Sequence, residues 1–390
     1  MSNLEELIEK LCPDGVEYKT VGEIANISRG KVMSKDYLKN NIGEYPVYSS
    51  QTENNGQLGA ITTYMYDGDY LTWTTDGANA GTVFFRSGKF SITNVCGLID
   101  VKDNNLMPKF LYYFLNKEAP NHVNSGMGNP KLMSNVMSNI KLPVPPLEVQ
   151  REIVRILDSF TELEKELEKE LAARQKQYEY YRDLLLTFKS NESTILNERT
   201  NELELSGAIR WMKLGDTCFL KAGKAISATE ISQNVNDDYI YPCYGGNGLR
   251  GYVKNYNQDG EHPIVGRQGA LCGNVCYACN KFYATEHAVV VSPSALYNEK
   301  FLYYLLDFAR LEQYKTAGAQ PGLSVARLEK VVLPVPPLEV QQRIVDILDR
   351  FDTLCNDITS GLPAEIEMRQ KQYEYYRDKL LTFKELKKEA

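Results

Sequence analysis

The sequence predicts an α+β fold in which two β-rich globular domains alternate with two long helices, related by a pseudo-twofold repeat. The first observation is that LPVPPLEVQ occurs at both Leu142–Gln150 and Leu333–Gln341, and RQKQYEYYRD at both Arg174–Asp183 and Arg369–Asp378. The second is that a block of similar size but different sequence precedes each repeated part. We therefore divide the chain into a first head at 1–141, a first stem at 142–189, a linker at 190–209, a second head at 210–332, and a second stem with its tail at 333–390.

Both stems are predicted to be long helices of the coiled-coil kind. A proline-rich segment ahead of Leu147 marks a helix start, and apolar residues then recur in steps of three and four over ~35 residues. The second stem has one additional four-residue step, and Gly361 and Pro363 within it predict a kink or a short break. Because one helix cannot bury this seam alone, we expect the stems to pack antiparallel on each other. The alternatives are that each stem packs only on its own head, or on another chain.

The heads are predicted to be small α+β domains that share a skeleton. Short apolar runs such as ITTYMY, TVFF, HPIVG and AVVVS alternate with Gly, Asn and Asp, which is typical of strands and turns. Each head then closes with a helix, KFLYYFLNK or KFLYYLLDFAR. The matching positions include Asp67–Gly68 with Asp259–Gly260, Gly77 with Gly269, and Gly81 with Gly273.

The composition is that of a soluble globular protein, and its charge is unevenly distributed. No run reaches the ~18 apolar residues of a membrane span, no apolar signal segment occurs at the start, and the eight Cys are irregularly spaced. We therefore expect a cytoplasmic protein with free thiols. The net charge is −7, yet the blocks 16–141 and 210–332 carry +1 and +2 while every other segment is acidic. This distribution permits contact between the heads and DNA without predicting a strongly basic surface.

The LPVPPLEVQ entry, the stem end YEYYRDxLLTFK and the head–stem–head–stem order together resemble the DNA-specificity subunit of a Type I restriction-modification system. The resemblance covers essentially the whole chain. It implies that each head is a target recognition domain for one half of a bipartite site on double-stranded DNA. It also implies that the stems, paired as an antiparallel coiled coil, set the distance between the half-sites.

The same resemblance implies a set of partners and a division of labour. Two methyltransferase subunits would dock on the stems, and restriction and translocation subunits would complete the complex for phage defence. The chain itself would have no catalytic residue and would direct adenine-N6 methylation to its site. S-adenosylmethionine, ATP and Mg are then expected only in the partner subunits, with no cofactor in this chain and no contact with a membrane.

Polar and basic residues beside glycines are the candidate DNA contacts. Arg, Lys, Asn, Gln, Ser and Thr read base edges and phosphates, and glycine lets the backbone approach a ligand closely. The alternative is that these segments are ordinary solvated turns. In the first head the candidates are Arg29, Lys31, Tyr48, Ser49, Ser50, Gln51, Asn54, Asn55, Thr74, Thr75, Asn79 and Lys131. In the second head they are Lys221, Lys224, Tyr244, Asn247, Arg250, Arg267, Gln268, Asn274 and Gln320.

The tyrosine-rich stem ends are candidates for partner docking or for packing between the stems. Tyrosines at helical spacing on an apolar seam suit either role. The candidates are Tyr178, Tyr181 and Leu185 in the first stem, and Tyr373 and Tyr376 in the second.

Motifs for catalysis and metal binding are weak or missing. Cys272, Cys276 and Cys279 include a C-x-x-C spacing that fits zinc, although small core thiols in strands are the reading we favour. The sequence contains no Asn-Pro-Pro-Tyr or Asp-Pro-Pro-Tyr motif, no phosphate-binding loop and no G-x-S-x-G motif. The nuclease-like string at 13–19 is too compact for its aspartate to lie on a separate strand.

Two other classes of protein compete with a DNA-binding subunit. A coiled-coil scaffold whose heads bind protein would show no salt-dependent binding to duplex DNA. A stand-alone enzyme would need turnover by the purified chain, and the missing motifs argue against it.

Overall fold

The computed structural model describes residues 2–126, 128–188, 209–269, 271–316, 322–357 and 359–386. The chain forms two compact units, of which the first is built from two separate segments and the second from one. The first unit comprises Met1–Glu168 and Glu365–Ala390, and the second comprises Lys169–Ala364. Each unit therefore combines one head with a part of both stems.

The first unit contains ten strands and the helices that cover them. The strands are β1 (Glu17–Thr20), β2 (Ala25–Arg29), β3 (Ile42–Tyr48), β4 (Gln57–Ile61), β5 (Tyr66–Asp67), β6 (Tyr70–Thr74), β7 (Val83–Arg86), β8 (Lys89–Ile92), β9 (Cys96–Val101) and β10 (Lys141–Val144). The helices are α1 (Ser2–Leu11), α2 (Val21–Ile24), α3 (Lys35–Asn40), α4 (Pro108–Glu118), α5 (Ser134–Ser138) and the first part of α6 (Leu147–Leu186), with 3-10 turns at Glu53–Gly56 and Ala119–His122.

The second unit repeats this order after the linker. Its strands are β11 (Arg210–Lys213), β12 (Cys218–Ala222), β13 (Tyr241–Gly245), β14 (Gly248–Val253), β15 (Gln258–Asp259), β16 (His262–Gly266), β17 (Val275–Ala278), β18 (Lys281–Ala284), β19 (Ala288–Pro293) and β20 (Val332–Val335). Its helices are α7 (Leu214–Thr217), α8 (Glu299–Phe308), α9 (Val325–Leu328) and α10 (Leu338–Asn356), with 3-10 turns at Ala228–Glu230 and Leu311–Tyr314. A last helix, α11 (Leu362–Leu380), lies mainly in the first unit.

The two heads have the same sheet topology. One four-stranded sheet has the order β2-β9-β6-β7 in the first unit and β12-β19-β16-β17 in the second. The other has the order β4-β3-β8-β5 and β14-β13-β18-β15, with its central pair parallel in both units. A separate pair, β1 with β10 and β11 with β20, ties the start of each head to the proline-rich entry of the stem that follows it.

The shared skeleton predicted from sequence is confirmed by backbone geometry. Gly77 and Gly269 have φ values of 99° and 96°, and Gly81 and Gly273 have 88° and 99°, so the same left-handed turns occur in both heads. The closing helices α4 and α8 are also present. The run ITTYMY was expected to be one strand, and this is wrong. β4 ends at Ile61 and β5 begins at Tyr66, because Thr62 donates its amide to the Asn41 carbonyl at 3.1 Å and leaves the ladder.

The predicted antiparallel pairing of the stems is present inside each unit. In the first unit Phe160 of α6 stacks on Tyr376 of α11 with a centroid distance of 5.5 Å, and further along the helix Gln370 donates to Glu164 at 2.7 Å. In the second unit Tyr181 of α6 stacks on Phe351 of α10, also at 5.5 Å. Residue numbers rise along one helix and fall along the other, as antiparallel packing requires.

Each stem segment also packs on a head, but the alternative that each stem packs only on its own head is wrong, because the stems also pack on each other. The start of α6 adds Val149, Ile153 and Leu157 to the core of the first unit, and Leu380 at the end of α11 and Leu381 just after it are added from the second stem. In the second unit the start of α10 and the end of α6 fill the equivalent places. Among the helices that the structure describes, none has the length and hydropathy needed to cross a membrane.

The second stem is broken where Gly361 predicted a break. α10 ends at Asn356 and α11 begins at Leu362. A Cβ atom at Gly361 would lie 2.4 Å from the Thr353 carbonyl oxygen, so only glycine fits this turn. Asp357 accepts hydrogen bonds from Ser360 and Thr359, which lower the pKa of its carboxyl to about 2. The first stem has no such turn, and α6 is one helix of 40 residues.

A buried glutamine in each LPVPPLEVQ segment joins stem and head. Gln150 is fully buried, accepts a hydrogen bond from the Met107 amide at 2.8 Å, and donates to the carbonyls of Asn105 and Pro145, both at 2.7 Å. Gln341 makes the same three contacts in the second unit, with Asn298, Leu296 and Pro336. One side chain thereby fixes the start of the closing helix against the start of the stem.

Replacing Gln150 with Ala should destabilise the first unit by about 2–4 kcal/mol, because three buried backbone groups lose their partner. The measurement is the midpoint of urea unfolding, followed by tryptophan fluorescence of Trp73 in the core of that unit. Gln175→Ala, at an exposed position of α6, is the matched control and should leave the midpoint unchanged. Equal midpoints for the Gln150 variant and the control would contradict this role.

Candidate nucleic-acid interface

The candidate interface is the equivalent edge of each head, and the same backbone hydrogen bonds build it in both units. We call this set of hydrogen bonds the frame. In the first unit the Thr75 amide donates to the Val95 carbonyl at 3.2 Å, and the Thr75 carbonyl accepts from Leu132 at 3.0 Å. In the second unit Arg267 occupies that place. Its backbone amide donates to the His287 carbonyl at 2.9 Å, and its backbone carbonyl accepts from the Leu323 amide at 2.8 Å. The residues that follow form matching antiparallel bridges, Asp76 with Lys131 and Gln268 with Gly322.

A cluster of charged side chains occupies this edge in the first unit. The carboxylate of Asp76 accepts a hydrogen bond from the Thr75 hydroxyl at 2.7 Å. Two cations flank it, with Arg29 at 3.9 Å and Lys131 at 3.7 Å. Arg29 also donates to the Asn94 carbonyl at 3.1 Å, which fixes its guanidinium against the turn before β9. Both cations were candidates from the sequence, whereas the carboxylate between them was not.

The loop from Tyr48 to Asn55 is held from beneath by a buried arginine. Arg86 is 3 % exposed and stacks on the Tyr48 ring, 3.6 Å from its centroid. It donates to the Asn55 carbonyl at 2.9 Å and to the Thr72 hydroxyl at 3.2 Å. Burial lowers the pKa of the guanidinium. This role of Arg86 was not predicted from the sequence. The signal available was that a single arginine ends an otherwise apolar strand.

Backbone conformation gives the tip of this loop its shape. Asn54 and Asn55 have φ values of 48° and 54°, a left-handed conformation that asparagine tolerates better than most residues. Both side chains are exposed. The Asn79 amide donates to the Thr52 hydroxyl at 3.0 Å, so this loop meets the turn that follows β6. Candidate residues from two distant segments are thus brought together.

Thr74 and Thr75 require a correction. Both are fully buried and were proposed as direct contacts. The Thr74 hydroxyl donates to the Asn79 carbonyl, and the Thr75 hydroxyl bonds Asp76 and the Val95 carbonyl. They therefore position the turn and the carboxylate, because a side chain without exposed surface cannot reach a base.

The second unit has a glycine-rich cleft at the equivalent edge. Its volume is about 690 Å³, and four separate segments line it: the β13–β14 hairpin, the turn after β16, the turn before β19 and Gly322. The predicted residues Asn247, Arg250 and Gln268 all line this cleft. His287, which was not selected, lines it as well.

Several buried polar atoms near this cleft have no hydrogen-bond partner among the described residues. They are Arg267 Nε, Thr285 Oγ1, Glu286 Oε2 and His287 Nδ1. An unpaired buried polar group costs free energy, and ligand sites are one place where such groups occur. The cleft is therefore suited to a ligand that offers both hydrogen-bond donors and acceptors.

The remaining candidates lie around these two edges or elsewhere on the heads. Lys31 and Lys224 are exposed and make matching parallel bridges, to Thr93 and Thr285. Asn274 is exposed beside the cleft, with its amide nitrogen 3.9 Å from a Cβ placed on Gly248.

Other candidates are engaged within the heads. The hydroxyls of Ser49 and Thr93 form a hydrogen bond at 3.0 Å, and the Gln51 side chain donates to the Gln57 carbonyl at 2.6 Å. Ser50 is half-buried in the loop, Lys221 is exposed on β12, Tyr244 packs on Phe282, and Gln320 lies outside the described residues.

The stem residues proposed for docking are engaged within the units. Leu185 is buried in the core of the second unit, which corrects its assignment as a docking residue. Tyr178 and Tyr181 pack on Phe351, and Tyr373 and Tyr376 pack on Phe160. The exposed tyrosines of the repeat are Tyr180 and Tyr375, each 64 % exposed.

The three candidate zinc cysteines have different surroundings. Cys272 belongs to the main core of the second unit, Cys276 packs against a smaller core between the sheets, and Cys279 is exposed. Within the described ranges, no group of three or more His, Cys, Asp or Glu side chains is placed to hold a metal ion.

The two β-rich units share the same backbone frame but carry different polar side chains at its edge. Such a protein presents a pair of different recognition surfaces. Comparison with known proteins identifies the class. The family model for the Type I restriction modification DNA specificity domain matches residues 13–173 and again 209–368. The chain belongs to this family and is a specificity subunit, the non-catalytic DNA-recognition subunit of a restriction-modification system.

Individual relatives agree with this assignment. A putative type I specificity subunit of Mycoplasma pneumoniae is 32% identical over 372 residues, covering 94% of this chain and 98% of its own length. The EcoprrI specificity subunit of Escherichia coli is 48% identical over 221 residues, covering 56% of this chain and 52% of its own. A crystal structure of the S subunit from M. genitalium has the same fold, with a TM-score of 0.64 at 16% identity over 94% of this chain and 96% of the other.

Arg86 can be tested as the support of the Tyr48–Asn55 loop. In Arg86→Met the loop loses its hydrogen bond at Asn55 and its stacking on Tyr48, so the Ser49 amide should exchange hydrogen on the order of tenfold faster. That amide donates to Gly56 at 3.0 Å in the native loop. Arg155→Met, at an exposed site of α6, is the control. Unchanged protection of Ser49 in the Arg86 variant would contradict the assignment.

Proposed function

We propose that this chain reads a bipartite site on double-stranded DNA, one half-site with each unit, and directs an adenine-N6 methyltransferase to it. The observation that carries the proposal is the pair of edges on one frame. Matching backbone hydrogen bonds present Asp76 in one unit and Gln268 in the other. A protein that bound one target twice would need the same side chains at both places.

The side chains at these edges have the chemistry that reads DNA. Arg250, Asn247 and Gln268 combine donors and acceptors that match base edges in the major groove. Lys31 and Lys224 are exposed at equivalent positions and suit phosphate contacts, which position a protein without reading sequence. The glycines around the cleft allow a nucleic-acid backbone or base edge to come close.

The charge of the chain supports a complex with further subunits. A net charge of −7 gives weak attraction for a polyanion, so a partner must contribute cations to the grip on phosphates. We propose two methyltransferase subunits in this role and restriction subunits beyond them. In this proposal S-adenosylmethionine, ATP and Mg belong to the partners, and the complex works in the cytoplasm.

Two exposed tyrosines are the proposed centres of methyltransferase docking. Tyr180 and Tyr375 occupy the same position of the identical RQKQYEYYRD segments, one in each unit, and stack edge-on against the tyrosine that follows. Large exposed aromatic side chains are typical anchors of protein interfaces. Their occurrence in both units provides two equivalent surfaces, which fits two copies of one partner.

The proposed function is tested by mapping methylation. The chain is co-expressed with its methyltransferase subunit in a host without adenine methylation, and the modified positions are sequenced. A bipartite motif with a fixed gap is expected. Methylation at one continuous site would contradict the proposal of two readers. A formed complex that neither methylates DNA nor binds it in a salt-dependent way would favour the scaffold alternative.

The docking proposal makes a separate prediction. The double variant Tyr180→Ser, Tyr375→Ser should bind methyltransferase at least about tenfold more weakly, as expected for two interface anchors. Its thermal stability should be nearly unchanged, because both side chains are exposed. Tyr37→Ser, at an exposed tyrosine of α3, is the control. Wild-type affinity of the double variant, measured by calorimetry, would place the docking surface elsewhere.

A further inference from the structure

We infer that one structurally equivalent position in each unit, Asp76 in the first and Gln268 in the second, determines which base that unit accepts. The inference rests on the proposed function and adds the residues that set specificity. Each residue follows directly on the amide and carbonyl that anchor the frame, and each forms the same bridge to the segment before α5 or α9. The backbone therefore presents both side chains in the same way.

The chemistry at this position differs between the units. An ionised carboxylate such as Asp76 only accepts hydrogen bonds, so it favours a base that offers an amino group, the N4 of cytosine or the N6 of adenine. It disfavours the acceptor atoms O6 and N7 of guanine. Gln268 both donates and accepts, which suits the N6 and N7 atoms of adenine together. The same backbone frame can thus present side chains that prefer different base edges.

The neighbours of each residue sharpen this difference. Arg29 and Lys131 flank Asp76 at 3.9 and 3.7 Å, longer than a direct hydrogen bond, and the Thr75 hydroxyl fixes the carboxylate from within. Such an arrangement holds the carboxylate in one orientation and leaves the Lys131 ammonium, whose side chain is 54 % exposed, able to reach a phosphate beside the base. Gln268 instead faces Arg250 and His287 across an open cleft.

An independent observation is that a side-chain hydrogen bond at this edge of the first unit is missing beside Gln268 in the second. In the first unit the hydroxyl of Thr93 bonds the hydroxyl of Ser49 at 3.0 Å. In the second unit the residue equivalent to Ser49 is Gly245, and the hydroxyl of the fully buried Thr285 has no hydrogen-bond partner among the described residues. Its hydroxyl lies 3.6 Å from where a Cβ of Gly245 would be, directed at a residue that lines the cleft. Glycine in place of serine thus removes a side chain from this edge, which accords with the open cleft of the second unit.

The competing explanation for Asp76 is purely structural. As the counter-ion of Arg29 and Lys131, it would maintain the edge without touching a base. Its loss would then weaken binding of every DNA sequence alike, and the order of preference among bases would stay the same. A direct reader predicts the reverse, a changed preference at one base position with the rest of the motif unaltered.

The experiment uses the assembled complex of this chain with its methyltransferase subunit and a pool of duplexes with randomised sequence. Bound DNA is selected and sequenced for the wild type, for Asp76→Asn and for Gln268→Glu. Both substitutions keep the size of the side chain and change its donors and acceptors together with one unit of charge, and the control substitutions make the same change of charge. Asp14→Asn and Gln233→Glu, at exposed positions of the same units, are the matched controls.

We expect Asp76→Asn to change the preference at a base of one half-site at least about tenfold, and Gln268→Glu to do the same only in the other half-site. The controls should give the wild-type motif. An unchanged motif in both variants, or a uniform loss of affinity without a change in preference, would overturn the inference. If Asp76→Asn failed to assemble, Gln268→Glu and Asp76→Ser, which also replaces an acceptor-only carboxylate by a group that can donate, would decide by the same criterion.

The failure of this inference can be told apart from failure of the proposed function. A wild-type complex that selects no bipartite motif would refute the proposed function itself. A wild-type complex that selects such a motif, together with variants that leave both halves unaltered, would refute only the assignment of Asp76 and Gln268.

Discussion

The structure depends on the need of each stem to bury an apolar seam that one helix cannot cover alone. Within the first unit Phe160 packs on Tyr373 and Tyr376, and within the second Phe351 packs on Tyr178 and Tyr181. Each unit is therefore assembled from segments far apart in the chain. A change in one stem must suit its partner in the other, which explains why the stem segments are nearly identical while the heads differ.

The two heads differ in their surfaces while they share the fold beneath. Their strand orders match, and the hydrogen bonds that anchor Thr75 and Arg267 match. Variation lies in side chains, in the length of the β3–β4 and β13–β14 hairpin loops, and in the β2–β3 segment, where α3 of the first unit is replaced by a 3-10 turn in the second. In the first unit Arg86 supports the longer loop, whereas in the second Ala278 ends the equivalent strand and the shorter loop borders an open cleft. The same scaffold thus carries two unlike recognition edges.

Much of the fold could be predicted from the sequence, because its signals were local or repeated. Helical spacing predicted both stems, Gly361 predicted the break, and paired glycines predicted the common turns. The unit boundaries were different: the sequence suggested heads and stems in series, whereas each unit takes residues from both stems. The apolar seams predicted that the stems pair, but the position along the stems at which one unit ends is set by long-range packing, which no local pattern encodes.

The candidate edges were predicted less completely, for a physical reason. Polar residues beside glycines identified Arg29, Lys131, Asn247, Arg250 and Gln268, which the structure gathers at the two edges. The same rule selected Thr74 and Thr75, since a buried and an exposed threonine look alike in sequence. It missed Asp76, Arg86 and His287, whose roles arise only when segments distant in the chain meet.

The central claim, that each head reads DNA independently on a shared scaffold, is tested most directly by a chain that carries the second head twice. Residues 16–141 are replaced by residues 210–332, the stems are kept, and the methylated motif is mapped with the same methyltransferase. The account predicts a motif whose two halves are both the half-site of the second head. A motif that retains the original first half, or an assembled complex without sequence preference, would contradict it.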